Sequence, residues 1–456
     1  MKTKQLLFLA LGLSAALVSC DRLLDFEPGD VILAEDAIQT EDDLQRLLVS
    51  TYDVLGNLYG GRLQVVNELR GDNFAGPNNS LDFTAVYNRE TTFFTGINGG
   101  IYADLYRAIY RSNVVIERFD YVEGLSDAGR ERMEAEARFV RAVSHFAAVR
   151  LYARPYGYTP DNSHLGVPLR ISSSQTPAPR ATVGDVYDAI LEDLTFAAGA
   201  LPVTNGVYAT QSAAHGFLAM VYFQMGEYAA AAQHAQTVIN SGMYTLDGDL
   251  DRFEADVLNT ETVFGIVSRI QDNRSVWFRD NLRSDNNPSP QLSFSDDFQF
   301  FLSLSGGGDA RSQWVSSAGG RYLCNRFNGK EYFNVPVIHL TLLKLVRAES
   351  IAESGGDLSV AIADINEIRD RAFGAGNFPL GADASAAEVR DAARDEFRKE
   401  TVCEGWWTDH LLRRGVAGEN FTIRGAAWDC PGMSLQFPNS ETTAAGFVLN
   451  EEGGCL

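Results

Sequence analysis

Positive charge is scarce in this chain. Lysine and arginine total 38 against 60 aspartates and glutamates, for a formal net charge of −22. Phosphate backbones demand a basic face, so nucleic-acid binding is excluded. Apolar runs are scarce as well. After Val18 no uninterrupted apolar stretch reaches the roughly 18 residues of a membrane-spanning helix. Catalytic signatures are missing: there is no HExxH, no GxSxG and no GxxxxGK[ST]. No CxxC or zinc-type cysteine spacing occurs. "SGGGD" at 305–309 lacks the lysine and the helix signal of a phosphate cradle and reads as a flexible loop. Asp296-Asp297 resembles a glycosidase carboxylate pair, but so acidic a chain contains many such pairs, and a solvated loop is the plainer reading. Asp247, Asp249 and Asp251 have calcium-loop spacing, but Arg252 stands where an EF-hand needs glycine. His145, His215 and His234 fall within helical patterns and read as ordinary packing or surface residues. These absences predict a non-enzyme with no metal and no cofactor.

What is present begins at the N-terminus. "MKTKQLLFLALGLSAALVSC" has two lysines, an apolar core from Leu6 to Val18 and a small residue before Cys20. That pattern is an export signal, and its core is too short to span a bilayer. The ending Leu17-Val18-Ser19-Cys20 resembles a bacterial lipobox. It predicts a lipoprotein signal peptide over 1–19 and lipid attachment at Cys20. Four other cysteines remain: Cys324, Cys403, Cys430 and Cys455. Export permits disulfides, and four cysteines allow three pairings. Cys430 with Cys455 is the favoured pair, since both lie close together in a loop-rich tail. Free buried thiols are the alternative for all four.

Helical periodicity dominates the rest. "EARFVRAVSHFAAVRLYARPYG" carries one broad apolar face and stops near Pro155. "AAHGFLAMVYFQMGEYAAAAQHAQTVINSG" has helix–turn–helix spacing with small residues at Ala219 and Ala231, as in a tetratricopeptide (TPR) repeat. The spacing recurs in "LVRAESIAESGGDLSVAIADINEIRDRA", where Gly356 to Ala361 matches Gly226 to Ala231. The expected fold is mainly α: a right-handed stack of TPR-like helical hairpins over about 35–242 and 334–415. Residues 243–333 differ. They are rich in Gly, Ser, Asn and aromatics, with a strand-like "ETVFGIVSRI". This segment is expected to be a loop-rich insertion with short strands, and insertions of that size carry function.

Several segments, in this order, resemble the SusD/RagB family of Bacteroidetes surface lipoproteins. They are "CDRLLDFEP", "TEDDLQRLLVSTYDVL", the long helix ending in "RPYG", "RATVGDVYDAILEDLTFAAGALP", "VPVIHLTLLKLVRAESIAESGG" and "SLQFPNSE". Together they run nearly the whole length. There are departures: no arginine lies between Glu404-Gly405 and Asp409, and Asp21 is followed by Arg22 rather than a second acid. The resemblance implies an outer-membrane, lipid-anchored nutrient-binding protein that faces the cell exterior. It would capture an oligo- or polysaccharide, or another nutrient, and deliver it to a SusC-like TonB-dependent transporter. A TPR-like scaffold for protein or peptide is the alternative.

A sugar site needs aromatic rings for the apolar pyranose faces and amide or charged groups for the hydroxyls, largely preformed. Two stretches offer that mixture. The first holds Arg70, Asp72, Asn73, Asn78, Asn79 and Tyr87. The second holds Trp277 and continues to Trp314 and Tyr322. The resemblance places ligand contacts in loops of these two regions. Trp277 and Trp314 are the expected stacking residues, and Trp406, Trp407 and Trp428 are read as packing.

Overall fold

The computed structural model describes residues 38–285, 290–306 and 308–455. The export signal and Cys20 lie outside them. The first helix, α1 (Glu41–Tyr59), starts where Thr40 and Asp43 bond reciprocally to each other's backbone, a capping box written in the local sequence. It is followed by α2 (Arg62–Arg70), α3 (Leu81–Asn88), α4 (Gly96–Arg118), α5 (Asp127–Tyr152), α6 (Val183–Ala200), α7 (Gln211–Met225) and α8 (Tyr228–Asn240). Ser126, Thr182 and Thr210 cap α5, α6 and α7 by accepting from the backbone three residues on. Helices α4, α5, α6, α7 and α8 each pack on the next, and α1 packs on α4. Helix α5 is buried on nearly all sides from Met133 to Tyr152, which is why its sequence is apolar or alanine over most of its circumference.

The insertion then leaves the stack and returns to the same place. Strands β1 (Thr262–Ile266) and β4 (Val335–His339) pair antiparallel at its root, Thr262 opposite His339 and Ile266 opposite Val335. Every residue of both strands is buried, so β1 shows no alternation of exposed and buried positions. Between them lie α9 (Val276–Asn281), α10 (Asp296–Ser303) and the hairpin of β2 (Val315–Ala318) and β3 (Arg321–Cys324). The chain resumes with α11 (Leu340–Ser354), which packs directly on α8, then α12 (Leu358–Phe373), α13 (Ala386–Glu400) and α14 (Trp407–Val416).

The two TPR-like pairs, α7/α8 and α11/α12, do turn alike, with one difference. Gly226 ends α7 with φ 77°, and Gly355, not Gly356, ends α11 with φ 74°. The second turn is therefore one residue longer. The close-approach alanines Ala231 and Ala361 still fall on the fourth residue of their helices and are fully buried.

Ion pairs with no solvent exposure hold the insertion to the stack. Arg311 reaches Asp309 at 2.8 Å, Glu396 at 2.7 Å and Glu400 at 3.0 Å. Arg252 bonds Glu400 at 2.6 Å and Glu404 at 2.8 Å. Burial pushes the Glu400 carboxyl up, but Arg371, Arg252 and Arg311 outweigh it and hold the group well below the usual carboxylate range. In the C-terminal tail Cys430 and Cys455 are disulfide-bonded, while Cys324 and Cys403 are buried thiols. Among the described residues no helix is long and apolar enough to cross a membrane.

Candidate functional site

The insertion docks on the turn between α1 and α2. Gly61 begins α2 with φ 125°, and a Cβ there would lie 2.8 Å from the Trp277 Cβ and 2.9 Å from the Phe278 ring. Only glycine admits so close an approach in that conformation. Helix α9 then divides its two aromatics. Phe278 turns inward and is fully buried against Phe253, Phe327 and Phe333. Trp277 turns outward and stays half-buried, its ring 6.1 Å from that of Phe83 and 5.8 Å from the Arg62 guanidinium.

Trp277 forms one wall of a cleft of ≈ 750 Å³, within the size range of small-ligand sites. The start of α3, Asn79 to Phe83, also lines it, with Arg62 and Ile97; Val276, Asp280, Asn281 and Gln291 complete the lining. Local bonds preset this frame. Ser80 caps α3 by accepting from the Phe83 N–H at 3.2 Å. Asp82 accepts from the Ile97 N–H at 2.8 Å and so ties α3 to the start of α4. The Asn281 side chain donates to the Trp277 carbonyl at 2.8 Å. Two cleft atoms, Gln291 Oε1 and Arg62 Nε, have no hydrogen-bond partner among the described residues. The site thus joins an aromatic face, amides and one guanidinium to two carboxylates. That set suits a ligand with apolar faces and many hydroxyls.

The two stretches singled out in the sequence are brought together. Ala75 N–H donates to Ser293 O, Asn78 N–H to Gln291 O and Ser295 N–H to Asn73 O, each at 2.9 Å. Phe74 and Phe294 pack beneath this seam with ring centroids 5.1 Å apart. Trp277 and Asn79 line the cleft, and Asn78 sits half-buried on the seam beside it. Tyr322 is half-buried on β3 and accepts from the Phe294 N–H at 2.8 Å, which places it behind the wall. Tyr87 lies under the Arg424 guanidinium, 3.8 Å from its ring centre, outside the lining.

Three expected contact residues need correcting, because they are interior. Arg70 is 1 % exposed; its guanidinium donates to Met433 O at 2.9 Å and to Asn67 Oδ1 at 2.6 Å. Asn73 is fully buried and accepts from Arg398 at 2.8 Å. Trp314 is 6 % exposed, its ring covered by Arg326 at 4.2 Å, so it packs and cannot stack on a ligand. Asp72 is half-buried, and its Oδ1 accepts from Trp407 Nε1 at 2.6 Å. Trp406 and Trp407 are buried, as packing residues are. The sequence reading did not single out Ser80, Leu81, Asp82, Phe83, Asp280, Asn281 and Gln291 within its two stretches, and Arg62 and Ile97 lie outside them. The Ser80-to-Phe83 cap was readable as a helix start, but nothing in the sequence put it beside α9.

Residues 23–223 match the SusD-like_3 family, described as "Starch-binding associating with outer membrane". A SusD superfamily protein from Bacteroides vulgatus superposes with a TM-score of 0.79 at 20% identity, covering 91% of this chain and 99% of that one. The chain shares the fold of the SusD superfamily structures. A solved structure described as a laminarin binding SusD-like protein shares the fold at a TM-score of 0.72 and 20% identity, over 91% of this chain and 99% of that one. Among curated relatives, SusD-like protein P38 of Formosa agariphila is 25% identical over 267 residues, 57% of this chain and 50% of that protein. SusD-like protein P25 of the same organism is 22% identical over 256 residues, 53% of this chain and 46% of that protein. The chain thus spans about half the length of the curated SusD-like relatives it matches. The SusD-like frame holds the cleft at the junction of its helical stack and its insertion.

Proposed function

We propose that this chain is a non-catalytic, cell-surface binding protein that captures a glycan. Cys20 carries the lipid that anchors it to the outer membrane. It passes its ligand to a TonB-dependent transporter of the SusC type. The observation that carries the reading is the cleft that Trp277 lines together with Asn79, Asn281, Gln291 and Arg62. An indole beside amides and a guanidinium is suited to one pyranose face and its ring of hydroxyls. Among the described residues there, two carboxylates, Asp82 and Asp280, stand with one arginine, Arg62, on a chain of net charge −22. Neutral glycans are therefore preferred over sulfated or uronic ones, which that field repels.

The test is a binding screen against neutral and acidic polysaccharides by affinity gels, followed by calorimetry. Laminarin goes first, because a structural relative is described as binding it. Binding to a neutral class, lost in Trp277→Ala, is the expected result. Binding by a peptide panel with none by any glycan would overturn the reading in favour of a protein-binding scaffold.

A further inference from the structure

Cys324 and Cys403 are 79 residues apart in the chain, yet their sulfurs lie 3.9 Å from each other. Both side chains are 1 % exposed. Cys324 ends β3, and Cys403 sits in the turn between α13 and α14. Two further features fix the pair. Cys403 adopts φ 72°, a left-handed backbone that residues with a Cβ seldom take. The two segments are also clamped together: Arg326 donates to Val402 O at 2.7 Å and to Glu404 Oε1 at 2.9 Å. The thiols are held face to face by the backbone around them.

We propose that Cys324 and Cys403 form a second disulfide in the exported protein. Bonded sulfurs lie about 2 Å apart, so the pair must close by roughly a further 2 Å. The oxidant is a disulfide, either small (glutathione disulfide) or carried on a protein of the export pathway. The Cys324 thiolate attacks one sulfur of that disulfide and releases the other as a thiolate. The Cys403 thiolate then attacks Cys324 Sγ and expels the second thiolate. Two electrons pass to the oxidant, and the two thiol protons end on its two sulfurs. Because both sulfurs are buried, exchange takes place before the β2–β3 hairpin closes over them.

The bond would cross-link the insertion to the turn between α13 and α14. Tyr322, two residues before Cys324, holds Phe294 through its carbonyl, and Gly405, two after Cys403, bonds Glu68 of α2. The inference does not depend on the identity of the ligand.

The experiment uses the full chain carrying Cys20→Ala, reduced and unfolded, then refolded with glutathione disulfide. Thiols are alkylated in denaturant and mapped by peptide mass. The same alkylation is run on the exported protein without refolding, in case refolding fails. The expected result is no alkylated cysteine and one peptide joining Cys324 to Cys403. Cys403→Ser should then leave Cys324 alkylated. Alkylation of both Cys324 and Cys403 beside an intact Cys430–Cys455 link would overturn the proposal, as would any cross-pairing of Cys324 with Cys430 or Cys455.

Discussion

Replacing Glu68 with glutamine should make the protein less sensitive to alkaline pH. Glu68 lies on α2, 2 % exposed, and among the described residues no cation bonds it. Its Oε1 accepts from the Gly405 N–H at 3.1 Å and its Oε2 from the Asn73 amide at 3.4 Å. Burial pushes its pKa from 4.5 to about 8; the backbone bond opposes this, and Glu404 and Asp72 add to it. The folded state therefore keeps a proton that the unfolded chain gives up above pH 4.5. Stability from this group is complete below 4.5 and is lost as pH rises to 8, since in that window the folded state binds more protons. The full loss is about 5 kcal/mol, with about 3 kcal/mol already gone at pH 7, at about 1.4 kcal/mol per pH unit. Glu68→Gln removes the titration. Any fixed cost of its amide facing Asn73 is independent of pH and drops out of the comparison. Urea denaturation of both proteins at pH 5, 6, 7 and 8 reads the difference. The variant should gain on wild type by about 1.4 kcal/mol per unit across that range. A stability difference that stays constant with pH would refute the reasoning.

Four further outcomes are expected. Trp277→Ala should weaken glycan binding by about 1–2 kcal/mol with little change in stability, read by calorimetry and thermal melting. Trp314→Ala should do the reverse: its buried ring makes the cost about 3–5 kcal/mol of stability, and glycan affinity measured well below the melting temperature should be unchanged. Arg311→Ala leaves Asp309, Glu396 and Glu400 without their shared partner in the interior and should cost about 3–5 kcal/mol in denaturant titration. Cys20→Ala should move the protein from the membrane fraction to the soluble one on cell fractionation; retention in the membrane would count against the anchor.

What the sequence determined by itself is local. Helix starts follow from single side chains such as Thr40, Ser126 and Thr210, and helix ends from Gly226 and Gly355, because capping and left-handed turns are decided within four residues. The stacking of hairpins follows from small residues at helical spacing, Ala231 and Ala361. The boundary of the insertion shows as a change in composition after residue 242. The pairing of the site's two halves was only half legible. Both stretches carry aromatics and amides, but side-chain type does not say which way a residue faces. Tertiary structure decided that Trp277 opens onto the cleft while Phe278, one residue on, fills the core. It also decided that Trp314 lies under Arg326, and that Arg70 and Asn73 spend their polar groups on Met433, Asn67 and Arg398. Apart from Arg70 with Asn67, these contacts join residues from about a dozen to 363 positions apart. An arginine that binds a ligand and one that braces a core need the same guanidinium, and only the folded chain's partners for it tell the two apart.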